Sequence, residues 1–202
     1  HAGAWTPFTV DEASGYVYLP IEAATGDQYG GHRPGANLFS SSIVCLDIET
    51  GERVWHRQLI HHDIWDWDPP AAPMLLDLDV GGTRIPAVIP LSKTAWVFAF
   101  DRRTGDPIFP VEERPVPRDG AAGEWLSPTQ PFPTKPPPFD RQGLSTADLI
   151  DFTPELKRLK KRIVRPVLIK IIFSDFAVNV PRPRDWCRSS TGPPRGGFPQ
   201  KR

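Results

Sequence analysis

Apolar and polar positions alternate in short runs over the first hundred residues, and clusters of turn-forming residues separate the runs. Trp5 to Val10 alternates, Asp11-Glu12-Ala13-Ser14-Gly15 forms a turn cluster, and Tyr16-Val17-Tyr18-Leu19-Pro20 predicts a second strand. A loop rich in Gly, Thr, Asp and Asn follows at 22–37. Ser42 to Asp47 and Arg53 to Leu59 then predict strands on either side of the turn Ile48 to Glu52. Ile85 to Pro90 and Thr94 to Phe100 predict a further pair. Residues 107–155 read as low in regular structure. A short helix is predicted near their end, with Thr153 as N-cap and Pro154 in the first helical position. Val167 to Phe173 is again strand-like.

An internal repeat orders these strands. Val44-Cys45-Leu46-Asp47-Ile48-Glu49-Thr50-Gly51 matches Phe98-Ala99-Phe100-Asp101-Arg102-Arg103-Thr104-Gly105, offset by 54 positions. Each copy is an apolar strand, an Asp, two variable residues and Thr-Gly. The Asp caps the turn, and the Gly supplies the positive φ that closes it. Four-stranded units repeating every 40–50 residues or so are the mark of a β-propeller. With helical periodicity nearly absent, the chain is expected to be all-β, a partial β-propeller of about two to three blades.

Composition divides the chain in two. Residues 1–155 carry a net charge of −11 and residues 156–202 one of +11, although the whole is neutral. A basic tail usually suggests nucleic acid or an anionic membrane; no other feature here supports nucleic-acid binding, and none is expected. The 25 prolines cluster after Pro107. Cys45 and Cys187 stand far apart and form no CxxC pair, which removes a zinc or redox motif. No apolar run approaches the ~20 residues of a spanning helix. The only methionine is Met74, so the chain is expected to be a processed product or a piece of something longer.

Chemistry concentrates between Trp55 and Asp68, where His61-His62-Asp63-Ile64-Trp65-Asp66-Trp67-Asp68 packs imidazole, carboxylate and indole together. Asp66 lies between two tryptophans that would desolvate it and raise its pKa toward general-base range. The other reading is that Asp63, Asp66 and Asp68 accept hydrogen bonds from turn amides. His32, His61 and His62 suggest a transition-metal site, but adjacent strand residues point to opposite faces and would not chelate together. Trp55 and Trp96 read as packing residues between blades.

The run His61 to Asp66, preceded by Thr50-Gly51-Glu52-Arg53-Val54-Trp55, resembles the quinoprotein dehydrogenases that use pyrroloquinoline quinone. The resemblance is nearest to the glucose- and alcohol-dehydrogenase branches and runs from about Ala4 to about Val164. It takes in Tyr29-Gly30-Gly31-His32-Arg33, Ala71-Ala72-Pro73, Ser92-Lys93 and Ser127-Pro128-Thr129-Gln130-Pro131-Phe132. It implies an eight-bladed propeller with the quinone and a Ca²⁺ ion on its axis. It also implies Asp66 as catalytic base, Trp5 as the indole floor under the quinone, Lys93 as the cation at the quinone's oxygens, and Thr25 as a calcium ligand. Aldose or alcohol substrates, ubiquinone or cytochrome c as electron acceptor, and a periplasmic setting, membrane-associated through missing segments, come with it. Without the resemblance, Trp5 would be blade packing, Thr25 a loop hydroxyl and Lys93 a solvated strand-end lysine.

The pattern departs from that family in two ways. Eight blades at roughly 50 residues each exceed this chain, which holds a fragment. Beyond about Val164 the resemblance dissolves as the charge inverts. Residues 1–164 are therefore expected to be the propeller fragment, and residues 165–202 a non-native or disordered tail such as a shifted reading frame would produce. A non-catalytic propeller scaffold and an inactive truncated product are the competing functions. The His-Asp-Ile-Trp-Asp run argues against the scaffold.

Overall fold

The computed structural model describes residues 1–118, 120–143, 152–156 and 158. Among the described residues nine strands form three antiparallel sheets. The first is a four-stranded meander of β1 (Thr9–Asp11), β2 (Tyr16–Ile21), β3 (Ser42–Asp47) and β4 (Arg53–Gln58). The second joins β5 (Met74–Val80), β6 (Thr83–Ile89) and β7 (Phe100–Asp101), and the third pairs β8 (Val111–Pro115) with β9 (Thr129–Pro133). Sequential antiparallel strands in separate sheets, packed on one another, are the blade arrangement that the repeat predicts.

One apolar core runs through all three sheets. Tyr18, Ile43, Cys45 and Trp55 come from the first, Val88 and Phe100 from the second, and Phe132 from the third. Trp55 lies 5.9 Å from the Tyr18 ring and 6.4 Å from Phe100, and Trp96 meets Phe132 edge-on at 5.7 Å. Both tryptophans are therefore packing residues, as expected. Burial pushes the Cys45 thiol up to about 12, so this cysteine is an inert core residue.

The two copies of the repeat build the same turn. Asp47 Oδ1 accepts from the amides of Glu49 and Thr50 and from the Thr50 hydroxyl, and Gly51 follows at φ 72°. These donors, led by the Thr50 amide, hold the Asp47 carboxyl below the usual carboxylate range. Asp101 Oδ1 accepts from Arg103, whose side chain lowers that carboxyl in the same way, and Gly105 follows at φ 74°. Their surroundings differ. Gly51 has nothing near its missing Cβ, whereas a Cβ on Gly105 would lie 2.6 Å from the Trp55 ring. The second turn thus docks on the first sheet, where the Tyr18 hydroxyl and the Trp55 indole N–H both donate to the carbonyl of Arg102, at 2.9 and 3.1 Å.

Several predicted elements change. The strand expected at Trp5 to Val10 contracts to Thr9–Asp11, because Pro7 has no amide to give a ladder. The strand expected at Thr94 to Phe100 gives way to a turn with Ala95 at φ 65°; Val97 makes a single bridge to Leu91, and the strand itself is Phe100–Asp101. Met74–Val80 is an unpredicted strand, joined to β6 through Gly81-Gly82 at φ 61° and 82°. Residues 107–155 are more ordered than expected, since β8 and β9 lie there. Prolines at 115, 131 and 133 are tolerated because both members of a two-stranded sheet are edges. Residues 154–156 are helical, and Thr153 caps them through the Leu156 amide at 3.1 Å. The strand expected at Val167 to Phe173 and the tail from 165 lie outside the described residues. Among the described residues no helix is long and apolar enough to cross a membrane.

Replacing Gly51 with Ala should cost about 1–2 kcal/mol of left-handed strain. Gly105→Ala should cost roughly 1–3 kcal/mol more, because the added methyl collides with Trp55. Urea unfolding of the full-length protein measures both; equal losses would mean that Trp55 does not anchor the second turn.

Candidate functional site

The chain leaves β4 at Gln58 and turns sharply. The amides of Leu59 and Ile60 both donate to Ser41 O, at 2.8 and 3.3 Å. His61 exchanges two backbone-to-side-chain hydrogen bonds with Gln130 of β9, at 2.8 and 2.7 Å, and its ring meets Gln58 and Glu113. His62 adopts φ 49° and buries its ring against Gly35 O at 2.7 Å and Glu124 Oε1 at 3.2 Å. The two histidines do diverge, but the cause is this left-handed turn. The alternation of a strand, on which the expectation rested, does not apply here.

The three carboxylates of the run have separate roles. Buried Asp63 accepts from the Ser41 hydroxyl at 2.9 Å and from the amides of Trp65 and Trp67 at 2.8 and 2.9 Å. Burial raises its carboxyl, and these donors oppose the rise. Asp68 accepts from the Ala23 amide at 2.7 Å and from Lys93 Nζ at 3.2 Å. Only Asp66 accepts no backbone amide among the described hydrogen bonds. Asp63 clasps the amides on either side of it, and Asp66 sits at the tip with φ 58° and a side chain 52% exposed. The reading of turn-amide acceptors therefore holds for Asp63 and Asp68 and fails for Asp66.

The expected sandwich of Asp66 between indoles needs correction. Trp65 and Trp67, two positions apart, stack on each other at 6.5 Å and leave Asp66 half exposed. Its carboxyl is still raised, first by partial desolvation and next by the neighbouring Asp68, while Lys93 pulls it down. Lys93 Nζ lies 3.6 Å from Asp66 Oδ2 and donates to Asp66 O at 2.8 Å. Lys93 is thus ion-paired with both carboxylates and is not a freely solvated strand-end lysine.

Trp5 and Thr25 reach the same neighbourhood through backbone straps. The Thr25 amide and hydroxyl both donate to His1 O, at 2.7 and 3.2 Å, and Glu22 N donates to Gly3 O. The Thr6 hydroxyl reaches Pro69 O at 3.5 Å, just beyond Asp68. Trp5 itself is 58% exposed, so within this chain it is not blade packing. Arg33 closes the group by donating to Gly26 O at 3.0 Å and Asp63 O at 2.6 Å, and also to Asn37 Oδ1. No group of three or more His, Cys, Asp or Glu among the described residues could hold a metal ion. The Thr25 hydroxyl is engaged with His1 O. Sequence reasoning missed Glu124, named Arg33 only within the Tyr29 to Arg33 motif, and read Asp68 only as an acceptor for amides and not as the partner of Lys93.

Because Asp63 is consumed by the fold and Asp66 is not, their amides should behave differently. Asp63→Asn should cost about 1.5–3 kcal/mol for the lost charged acceptor. Asp66→Asn should change stability by less than about 0.5 kcal/mol. Denaturant midpoints of the full-length variants test this, and a large loss for Asp66→Asn would return Asp66 to a structural role.

The family model described as "PQQ: Glucose/ethanol/alcohol dehydrogenase, beta-propeller domain" matches residues 1–180, past the change of charge in the sequence. The chain is 42% identical over 130 residues to a quinoprotein glucose dehydrogenase of Escherichia coli K12, covering 64% of this chain and 16% of that protein. It is 39% identical over 154 residues to a glycerol dehydrogenase large subunit of Gluconobacter oxydans 621H, covering 75% of this chain and 21% of that one. Among solved structures, quinohemoprotein alcohol dehydrogenase from Comamonas testosteroni superposes with a TM-score of 0.51 at 25% identity, over 65% of this chain and 20% of that one. The chain thus spans about a sixth to a fifth of the length of these curated relatives. It belongs to the glucose/ethanol/alcohol dehydrogenase β-propeller family of PQQ proteins.

Proposed function

We propose that this chain is part of a dehydrogenase that oxidises the hydroxyl of an aldose such as glucose, or of an alcohol, with pyrroloquinoline quinone as cofactor and Ca²⁺ as its metal. The observation that carries this reading is the Asp66–Lys93 pair. It is a half-exposed carboxylate with a raised pKa, held at the tip of a turn, beside an ammonium whose own position is fixed by Asp68. The residues present fit a flat, electron-poor ring. The exposed Trp5 indole offers an apolar plane, and Lys93 offers a cation for ring oxygens. When bound, the quinone supplies the two-electron acceptor. Asp66 takes the hydroxyl proton at its carboxylate, which requires the ionised form and a reach of about 3 Å. Thr25 contributes a hydroxyl oxygen of the kind that Ca²⁺ accepts. Electrons then leave to ubiquinone or a cytochrome c, in a periplasmic setting. The glucose, glycerol and alcohol dehydrogenases among the relatives support the substrate class.

The full-length protein should reduce a dye with glucose or short alcohols only when quinone and calcium are added. Asp66→Asn should lower turnover by about 10²–10⁴-fold while leaving quinone affinity unchanged. Because the base must be ionised, wild-type turnover should fall as the pH drops through the raised Asp66 pKa, above the usual value of about 3.9. Turnover retained in Asp66→Asn would remove this residue from its role.

A further inference from the structure

We infer that the buried His62–Glu124 pair positions the cofactor-side loop, holding Thr25 and Asp66 in one fixed relation; the inference rests on the function proposed above. His62 and Glu124 side chains are 0% and 2% exposed, and the edge of Trp125 closes over the imidazole at 4.9 Å. Gly35 O can only accept, so His62 Nδ1 carries a proton. Glu124 accepts at both oxygens from amides, Gly30 N at 2.8 Å and Trp125 N at 3.1 Å, and its Oε1 lies 3.2 Å from His62 Nε2. The contact is a buried hydrogen bond between the imidazole and the carboxyl group, each of which has its remaining polar atoms engaged by the backbone.

The pair reaches the site in two directions. Toward Thr25, Gly30 and Gly35 fix the two ends of the 30–35 segment. A Cβ on Gly30 would lie 2.7 Å from His62 Cε1, so the ring is pressed onto that backbone. Arg33 N donates to Gly30 O at 2.9 Å, and the Arg33 guanidinium holds Gly26 O, next to Thr25. Toward Asp66, His62 immediately precedes Asp63, whose carboxylate clasps the turn and whose carbonyl accepts from the same Arg33. Removing either group leaves the other buried without its hydrogen-bond partner and loosens both segments. Neither residue touches the half-exposed face of Asp66 and Lys93, so the pair acts through the loop and not on the substrate.

The test uses full-length apoprotein reconstituted with pyrroloquinoline quinone and Ca²⁺, with binding followed by tryptophan fluorescence. His62→Ala and Glu124→Gln should each weaken calcium-dependent quinone binding by about 10- to 100-fold, the usual effect of removing an outer supporting contact. The double variant should be no weaker than the worse single. Turnover at saturating quinone and calcium should fall by a smaller factor than affinity does, which is the opposite split from Asp66→Asn. Glu113→Gln, which breaks the more exposed His61 contact, should leave binding unchanged and serves as control. Wild-type affinity in both folded single variants, or affinity lost equally in Glu113→Gln, would overturn the inference. If His62→Ala does not fold, Glu124→Gln decides alone. A wild-type protein that binds no quinone would overturn the functional reading itself, and this inference with it.

Discussion

The carbonyl of Arg102 accepts two buried donors from a neighbouring sheet, and the rest of the structure hangs on that contact. It seats the Asp101–Gly105 turn on Trp55 and Tyr18 with no room for a side chain at Gly105. The Arg102 guanidinium adds Asp11 at 3.0 Å and Asp77 at 3.7 Å, one from each of the two sheets. A two- to four-stranded sheet cannot bury enough apolar surface to stand alone. Each sheet here is completed by its neighbour, so the core is shared between blades. The first copy of the turn has the same left-handed glycine with open space in front of it, flanked by exposed Ile48 and Val54. A repeat that docks on one side presents the same surface on the other, as a ring of such units requires.

The site is built where the sheets meet, and its exposed carboxylate stands on buried polar groups that have no freedom to move. Asp63 is buried and triply hydrogen-bonded, Asp68 is tied to the Ala23 backbone, and His62 is shut in with Glu124. Partnered groups of this kind are costly to bury but costlier to separate. That cost resists reorientation of the turn and holds Asp66 in a left-handed conformation that a free loop would leave.

What the sequence showed and what it hid follows from the range of the interactions. The Asp-x-x-Thr-Gly turns were legible because every partner lies within four residues, and the same is true of the Thr153 cap. The pairing of β8 with β9 was hidden because prolines suppress strand propensity even where edge geometry admits them. The strand at Met74–Val80 was signalled by Gly81-Gly82 and overlooked, since its burial does not follow a clean alternation. At the site, the motif and its resemblance pointed to Asp66, Lys93, Trp5 and Thr25. Glu124 stands 62 residues from His62 in a glycine- and proline-bounded loop, and nothing local to it announces a partner. Without the resemblance, the run itself could not tell which of three aspartates the fold consumes. Hydrogen bonds from Ala23, Ser41, Trp65 and Trp67 decide that, and two of those four donors come from distant segments.

Asp66 is half exposed in this chain, and that exposure bears on its chemistry. On the function proposed above, a flat ring covering the site would strip water from the Asp66 carboxylate, and lost hydration pushes an acid's pKa up. Asp68 already pushes in that direction, whereas Lys93 pulls against it from 3.6 Å. Coulombic attraction strengthens as the local dielectric falls, so the same covering that desolvates Asp66 also makes the ammonium more effective. The two effects therefore rise together. A carboxylate flanked only by Asp68 would protonate under a bound ring and lose its capacity as a base. One paired with Lys93 stays ionised, and Asp68, 3.2 Å from the same ammonium, holds that lysine beside it.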